Sequence, residues 1–126
     1  MPHVRVDLHE SHRPRLPEYS AAILAGMVKG LEMPEFDLFH TFRLHQPGEI
    51  FFNRTFPGVQ REDIILIEVV AQVGYTDEQK QAGMAGIADE LEAIGVRRDD
   101  LMFVFLEVHG AAWYPLATPE HVAAEG

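Results

Sequence analysis

Apolar and polar residues alternate at the start of the chain and again near residue 40, and a different spacing separates these two stretches. Residues 2–8 and residues 38–45 alternate as half-buried strands do. Between them, the apolar positions follow helical spacing, namely Leu16, Ile23, Leu24, Met27, Val28 and Leu31. This part of the chain therefore predicts a strand, a helix over about residues 16–31 and a second strand.

The same order of elements returns in the second half of the chain. The Pro-Gly pairs at residues 47–48 and 57–58 mark loops. Residues 64–71 form an apolar run that only Glu68 interrupts, and residues 101–108 form the last strand-like stretch. Between these two predicted strands, Thr76-Asp77-Glu78-Gln79 has the pattern of a capping box. It opens a helix near residues 77–94 whose predicted buried stripe is Met84, Ile87, Leu91 and Ile94.

A shift of 63 residues places the second half of the apolar pattern on the first. Leu24 then falls on Ile87, Val28 on Leu91, and Phe42 on Phe105. One β-α-β unit of this length cannot cover its own strands, so we expect two fused units to form a four-stranded sheet with both helices on one face. The fold class is α/β. The other sheet face carries His3, Arg5, Asp7 and Glu68, and its need for cover favours an oligomer.

The pattern predicts a single domain over residues 1–126. Its parts are a first repeat over about residues 2–45, a connector over 46–62, a second repeat over about 63–108 and a C-terminal tail over 109–126.

Composition narrows the possible partners and locations. The 126 residues are 47% hydrophobic and 24% charged, which is typical of a globular domain. The formal net charge is −10, so we expect no binding of nucleic acid, which requires cationic side chains at its phosphates. No apolar run is long enough to span a membrane. The absence of cysteine excludes disulfides and thiolate metal sites and favours a cytoplasmic location.

Several motifs, in order and at matching separations, make the chain resemble the tautomerase superfamily from residue 2 to about residue 115. They are Pro2, Asp37 within Glu35-Phe36-Asp37-Leu38-Phe39, His45-Gln46-Pro47-Gly48-Glu49, Thr76-Asp77-Glu78-Gln79-Lys80 and Trp113. By pattern, the duplicated chains related to malonate semialdehyde decarboxylase are most similar. The resemblance implies a trimeric tautomerase-like fold, a homotrimer with active sites at subunit boundaries, and Pro2 at the bottom of each pocket.

The chemistry of an N-terminal proline gives Pro2 a candidate role in proton transfer. Removal of Met1 would expose a secondary amine at the start of a buried strand. Burial penalises the charged form of an amine and lowers its pKa, so Pro2 could act as a base or an acid near neutral pH. The resemblance implies that Asp37 keeps Pro2 protonated or activates water, although an aspartate entering a strand also suits its repeat position, where Asp100 stands.

The chain departs from the resembled pattern where substrate is recognised. Decarboxylase and dehalogenase-like relatives hold a substrate carboxylate with arginines before the second helix, whereas this chain has Val73 and Tyr75 there. Tyr75 could donate a hydrogen bond in place of a lost arginine or only cover the helix start. Arg43, Arg54 and Arg61 are the available cationic replacements.

Two more residues are candidates for substrate binding. Trp113 is a pocket wall by resemblance, or plain packing at a sheet edge. His40 could reach the pocket or pack as a hydrogen-bonded strand residue, and Arg43 points to the opposite face of the same strand. His40 and His45 also point to opposite faces, so their ring nitrogens do not converge on a metal. We expect no metal and no cofactor.

Three functions remain open. The favoured one is tautomerisation of a small 2-oxo acid or related carbonyl compound, with Pro2 moving the proton. An alternative is decarboxylation or hydration of a 3-oxo acid such as malonate semialdehyde, which Asp37 and Trp113 favour and the missing arginines oppose. The third is a trimeric binding protein that has lost its catalytic function.

Overall fold

The computed structural model describes residues 2–114, and the tail predicted over residues 109–126 therefore lies mostly outside the described residues. Its helices are α1 (Leu16–Leu31) and α2 (Asp77–Ala93), and its strands are β1 (His3–His9), β2 (His40–His45), β3 (Ile65–Gln72) and β4 (Leu101–Val108). The predicted α/β class of two β-α-β units is confirmed. The bounds proposed for the repeats and the connector stay predictions.

The strands form one sheet in the order β2-β1-β3-β4, which leaves β1 and β3 at its centre. Each β-α-β unit pairs its own strands in parallel, and the two units meet through the antiparallel pair of β1 and β3. A strand that has neighbours on both sides buries its backbone, so the start of β1 lies inside the protein rather than at its edge.

Both helices cover one face of this sheet. Val4, Val6 and Leu8 of β1 point into that layer and are almost completely buried against residues of both helices. The helices cross at glycines, where a Cβ on Gly26 would lie 2.4 Å from the Ile87 backbone nitrogen. Such close backbone contact lets both helices fit over four strands. Neither helix is long and apolar enough to cross a membrane, within the part of the chain that the structure describes.

In one copy of the chain, the other face of the sheet is open to solvent. Its polar side chains and its exposed apolar side chains lie on different strands. Each strand contributes its alternate residues, in three rows across the sheet: Arg43-Asp7-Leu66-Met102, Thr41-Arg5-Glu68-Val104 and His3-Val70-Leu106. The β1 and β2 side of these rows is polar, and Arg5 pairs with Glu68 at 3.3 Å. On β4, by contrast, Met102, Val104 and Leu106 are 47%, 45% and 43% exposed.

Candidate active site

An open cavity of about 710 Å³ lies beside the outer strand β2. The residues around it come from β1, α1, the segment that enters β2, and the end of the described chain. They are His3, Ser20, Leu38, Phe39, His40, Thr41, Phe42, Ala112, Trp113 and Tyr114. The walls are therefore largely aromatic and apolar, and the two histidines are the basic side chains among these lining residues.

Pro2 is fully buried directly before β1 and adjoins this cavity through its neighbours. The Val4 amide donates to the Phe39 carbonyl at 2.9 Å, and Val4 pairs with His40 in the parallel register. Both His3, which follows Pro2, and Leu38 line the cavity, whereas Pro2 itself does not.

Asp37 and Tyr75 approach each other from the entries to β2 and α2. Asp37 lies in the turn before β2, where its amide donates to the Pro34 carbonyl at 3.2 Å. The ring of Tyr75 packs edge-on against Phe105, with the ring centres 6.1 Å apart. Burial raises the pKa of the Tyr75 phenol, and the charge of Asp37 raises it further, so the hydroxyl keeps its proton as a hydrogen-bond donor.

His40 is held by a residue that the sequence analysis did not identify. Its Nδ1 lies 2.8 Å from the Ser20 hydroxyl of α1, across 20 residues of sequence. Its Nε2 is buried without a hydrogen-bond partner among the described residues. Burial, with a smaller contribution from His3, lowers the pKa of His40 to about 4. The imidazole in the cavity wall is consequently neutral near pH 7.

Trp113 reaches the cavity from the end of the described chain. A short 3-10 turn over Gly110–Ala112 precedes it, and its amide donates to the Gly110 carbonyl at 3.2 Å. The indole Nε1 is buried and, within residues 2–114, has no hydrogen-bond partner. Trp113 thus lines the cavity with an indole N–H donor that is unpaired within the described residues.

The candidate arginines lie away from the cavity. Arg43 is on the open face of the sheet, where its guanidinium lies 2.9 Å from Asp7, which also pairs with His45 at 2.8 Å. Arg54 donates to the backbone carbonyls of Arg61 and Glu62 in the connector. Arg61 donates to the carbonyls of Asn53 and Phe56. In one copy of the chain, these three arginines therefore hold structure together and do not line the cavity.

A separate polar cluster lies at the far end of β1. His9 and His12 contact opposite oxygens of Asp63 at 2.7 and 2.8 Å, and the Tyr19 hydroxyl lies 2.8 Å from His12. Burial raises the pKa of Asp63, but the bonds from His12, the Ile64 backbone and His9 lower it below its usual value. Among residues 2–114, no group of three or more histidine and carboxylate side chains has a geometry that would hold a metal.

Comparison with known proteins identifies the family. Residues 37–113, more than half of the chain, match the family model described as "Tautomerase enzyme". The chain therefore belongs to the tautomerase family, as its motifs predicted. The matched segment includes Asp37, His40, Tyr75 and Trp113 but begins after Pro2.

Individual relatives cover nearly the whole chain. A probable tautomerase, YusQ of Bacillus subtilis (strain 168), is 28% identical over 90% of this chain and 91% of its own. The crystal structure of FG41 malonate semialdehyde decarboxylase inhibited by 3-bromopropiolate superimposes with a TM-score of 0.85 at 28% identity, covering 98% of this chain and 97% of that one. A fused 4-OT described as a symmetric trimer shares the fold, with a TM-score of 0.68 at 17% identity and coverage of 84% and 85%.

The environment of His40 leads to a prediction about pH. Because its pKa is lowered to about 4 from an ordinary value near 6.5, we expect the folded protein to keep His40 neutral at pH 5. An unfolded chain takes up this proton near pH 6.5. The neutral His40 therefore makes its full contribution to the free energy of unfolding above pH 6.5. This contribution is lost as the pH falls from 6.5 toward 4. Imidazole ¹⁵N chemical shifts between pH 4 and 8, with His40→Gln to assign the signal, measure this directly. A midpoint near 6.5 would contradict the burial argument.

Proposed function

We propose that this protein catalyses keto–enol tautomerisation of a small 2-oxo acid or related carbonyl compound, with Pro2 as the group that moves the proton. The observation that carries the proposal is the burial of Pro2 at the start of an inner strand, next to residues that line an aromatic cavity. Membership of the tautomerase family supports the same class of reaction.

The reaction follows from the chemistry of a buried secondary amine. Once Met1 is removed, the Pro2 nitrogen carries a lone pair, and burial favours its neutral form. The nitrogen takes a proton from the carbon next to the carbonyl, and the C–H electron pair forms the carbon–carbon double bond. The carbonyl oxygen gains charge and receives the proton back from Pro2. No cofactor is needed for this exchange.

Asp37 and Tyr75 have supporting roles in this proposal. The Asp37 carboxylate adjusts the protonation of Pro2 or orients a water molecule, because a nearby negative charge favours the protonated amine. Tyr75 retains its phenolic proton, and that proton is available to a substrate oxygen. Both residues lie in the segment that matches the family model.

We also propose that the protein is a homotrimer. Three apolar side chains of β4 are exposed on one sheet face in a single copy, and burying them in an interface would remove this surface from water. Among the relatives of the same fold, one is a symmetric trimer. Subunit contacts at this face would cover the open side of the sheet.

Decarboxylation or hydration of a 3-oxo acid is the second candidate. It is favoured by similarity to a malonate semialdehyde decarboxylase over nearly the whole chain and by the presence of Asp37. It is opposed by Val73 and Tyr75, because the carboxylate that leaves as carbon dioxide must first be held by cations. Val73 is apolar and Tyr75 keeps a neutral phenol, so neither supplies a positive charge.

The role of the Pro2 nitrogen can be tested by acylating it. We expect a variant with one alanine inserted before Pro2 to lose tautomerase activity on phenylpyruvate, because an amide nitrogen has no basic lone pair. Pro2→Ala keeps a primary amine and should retain partial activity. Circular dichroism should show an unchanged fold in both variants. Full activity of the inserted variant would exclude Pro2 as the proton carrier.

Light scattering tests the trimer. We expect three times the mass of one chain, and a lower mass for Val104→Asp, which places a charge in the middle of the exposed apolar side chains of β4. Ala25→Asp, on the solvent side of α1, is the matched control and should leave the mass unchanged. A monomeric unmodified protein would contradict the proposal.

Because Val73 and Tyr75 stand where arginines are expected, we can predict the rate at which this protein decarboxylates malonate semialdehyde. We expect slow release of carbon dioxide, because each charge-assisted hydrogen bond lost with an arginine costs about 1.5–3 kcal/mol, or roughly tenfold to a hundredfold in rate. Val73→Arg and Tyr75→Arg, separately and together, should raise the rate. Rapid turnover by the unmodified protein, with no gain from the arginines, would make decarboxylation the better assignment.

A further inference from the structure

Two buried side-chain nitrogens in the wall of the cavity lack a hydrogen-bond partner within residues 2–114. His40 Nε2 and Trp113 Nε1 are both buried, and neither has a hydrogen-bond partner among the described residues. A buried polar atom without a partner costs stability that a ligand atom can restore. Both atoms belong to residues that line the same cavity, so a bound molecule is the natural source of the missing acceptors.

The hydrogen bond between Ser20 and His40 suits the tautomer that carries its proton on Nε2. The Ser20 hydroxyl has His40 Nδ1 as its single hydrogen-bond partner within residues 2–114, at 2.8 Å. The hydroxyl donates to His40 when Nδ1 offers a lone pair. A neutral imidazole then holds its own proton on Nε2. His40 is thereby oriented as a hydrogen-bond donor.

The parallel register of β1 and β2 places His40 close to Pro2, the proposed base. His40 pairs with Val4, two residues after Pro2, and alternate residues of a strand point to the same face. With the usual strand spacings, the Cα atoms of Pro2 and His40 are about 8 Å apart. This separation accommodates a carbonyl group and its neighbouring carbon between the proline nitrogen and the imidazole.

Within the described part of the chain, no arginine or lysine lines the cavity to pair with a carboxylate, and this limits the ligand. Hydrogen-bond donors and aromatic rings make up most of this lining. Moving a carboxylate from water into such surroundings is costly unless a positive charge pairs with it. An uncharged carbonyl compound avoids that cost and still offers oxygens to both N–H groups.

We propose that His40 and Trp113 bind the neighbouring oxygens of an uncharged dicarbonyl substrate, such as the ester of an aryl 2-oxo acid, with His40 on the oxygen that becomes the enolate. This inference rests on the proposed tautomerase function and makes its substrate class narrower. As Pro2 takes the carbon-bound proton, negative charge forms on that oxygen, and a fixed neutral donor stabilises it. The proton then passes from Pro2 to the oxygen, so atoms and charges balance.

The experiment compares the enol forms of phenylpyruvate and its methyl ester, which differ in charge at one end. We expect kcat/KM to be at least tenfold higher for the ester. His40→Leu should lower kcat for the ester by about a hundredfold, as loss of a donor to a developing oxyanion does. His40→Gln, which keeps an N–H group near the place of Nε2, should recover most of that loss. His109→Leu, the same change at an exposed histidine, is the matched control.

The possible results separate the assignment of the uncharged substrate from the tautomerase function on which it rests. A higher kcat/KM for the acid, or equal losses for His40→Leu and His40→Gln, would overturn the inference and leave the tautomerase function standing. If neither compound is turned over, the tautomerase function fails, and binding then tests the site alone. In that case the ester must shift the ¹⁵N resonances of His40 Nε2 and Trp113 Nε1 more than the acid does, and the opposite order would overturn the assignment.

Discussion

The central position of β1 is the constraint on which the rest of the structure depends. A strand at the very start of a chain could easily form an edge, yet β1 pairs with β2 on one side and with β3 on the other. Its first residues are thus buried by neighbours from both halves of the chain. Pro2 owes its buried position to this pairing and not to any residue beside it in sequence.

The outline of the fold could be predicted from sequence because it depends on local periodicity. The predicted bounds of α1 and of β4 agree with the structure, and Thr76 and Gln79 form the predicted capping box. Alternation also assigned His40 and Arg43 correctly to opposite faces of β2. These features depend on residues that are near one another along the chain.

The partners of the candidate residues could not be predicted in the same way. Arg43 was a candidate for carboxylate binding, but cross-strand register places it beside Asp7, 36 residues away. Ser20 was not identified, although a serine on a helix next to buried Ala22 and Ile23 is a polar residue at the edge of an apolar stripe. Such a position could have indicated a polar partner on the sheet, but nothing local specifies His40.

In the proposed reaction, recognition of substrate is separated from the base. Pro2 is buried by the sheet, whereas the cavity wall comes from the entry to β2, one turn of α1 and the segment after β4. Segments of this kind can change while the sheet keeps its register. A relative can therefore share the whole fold at 28% identity and still act on a different acid or carbonyl compound. Val73 and Tyr75, where the family resemblance leads us to expect arginines, lie in another connecting segment, between β3 and α2, and they leave the sheet around Pro2 intact.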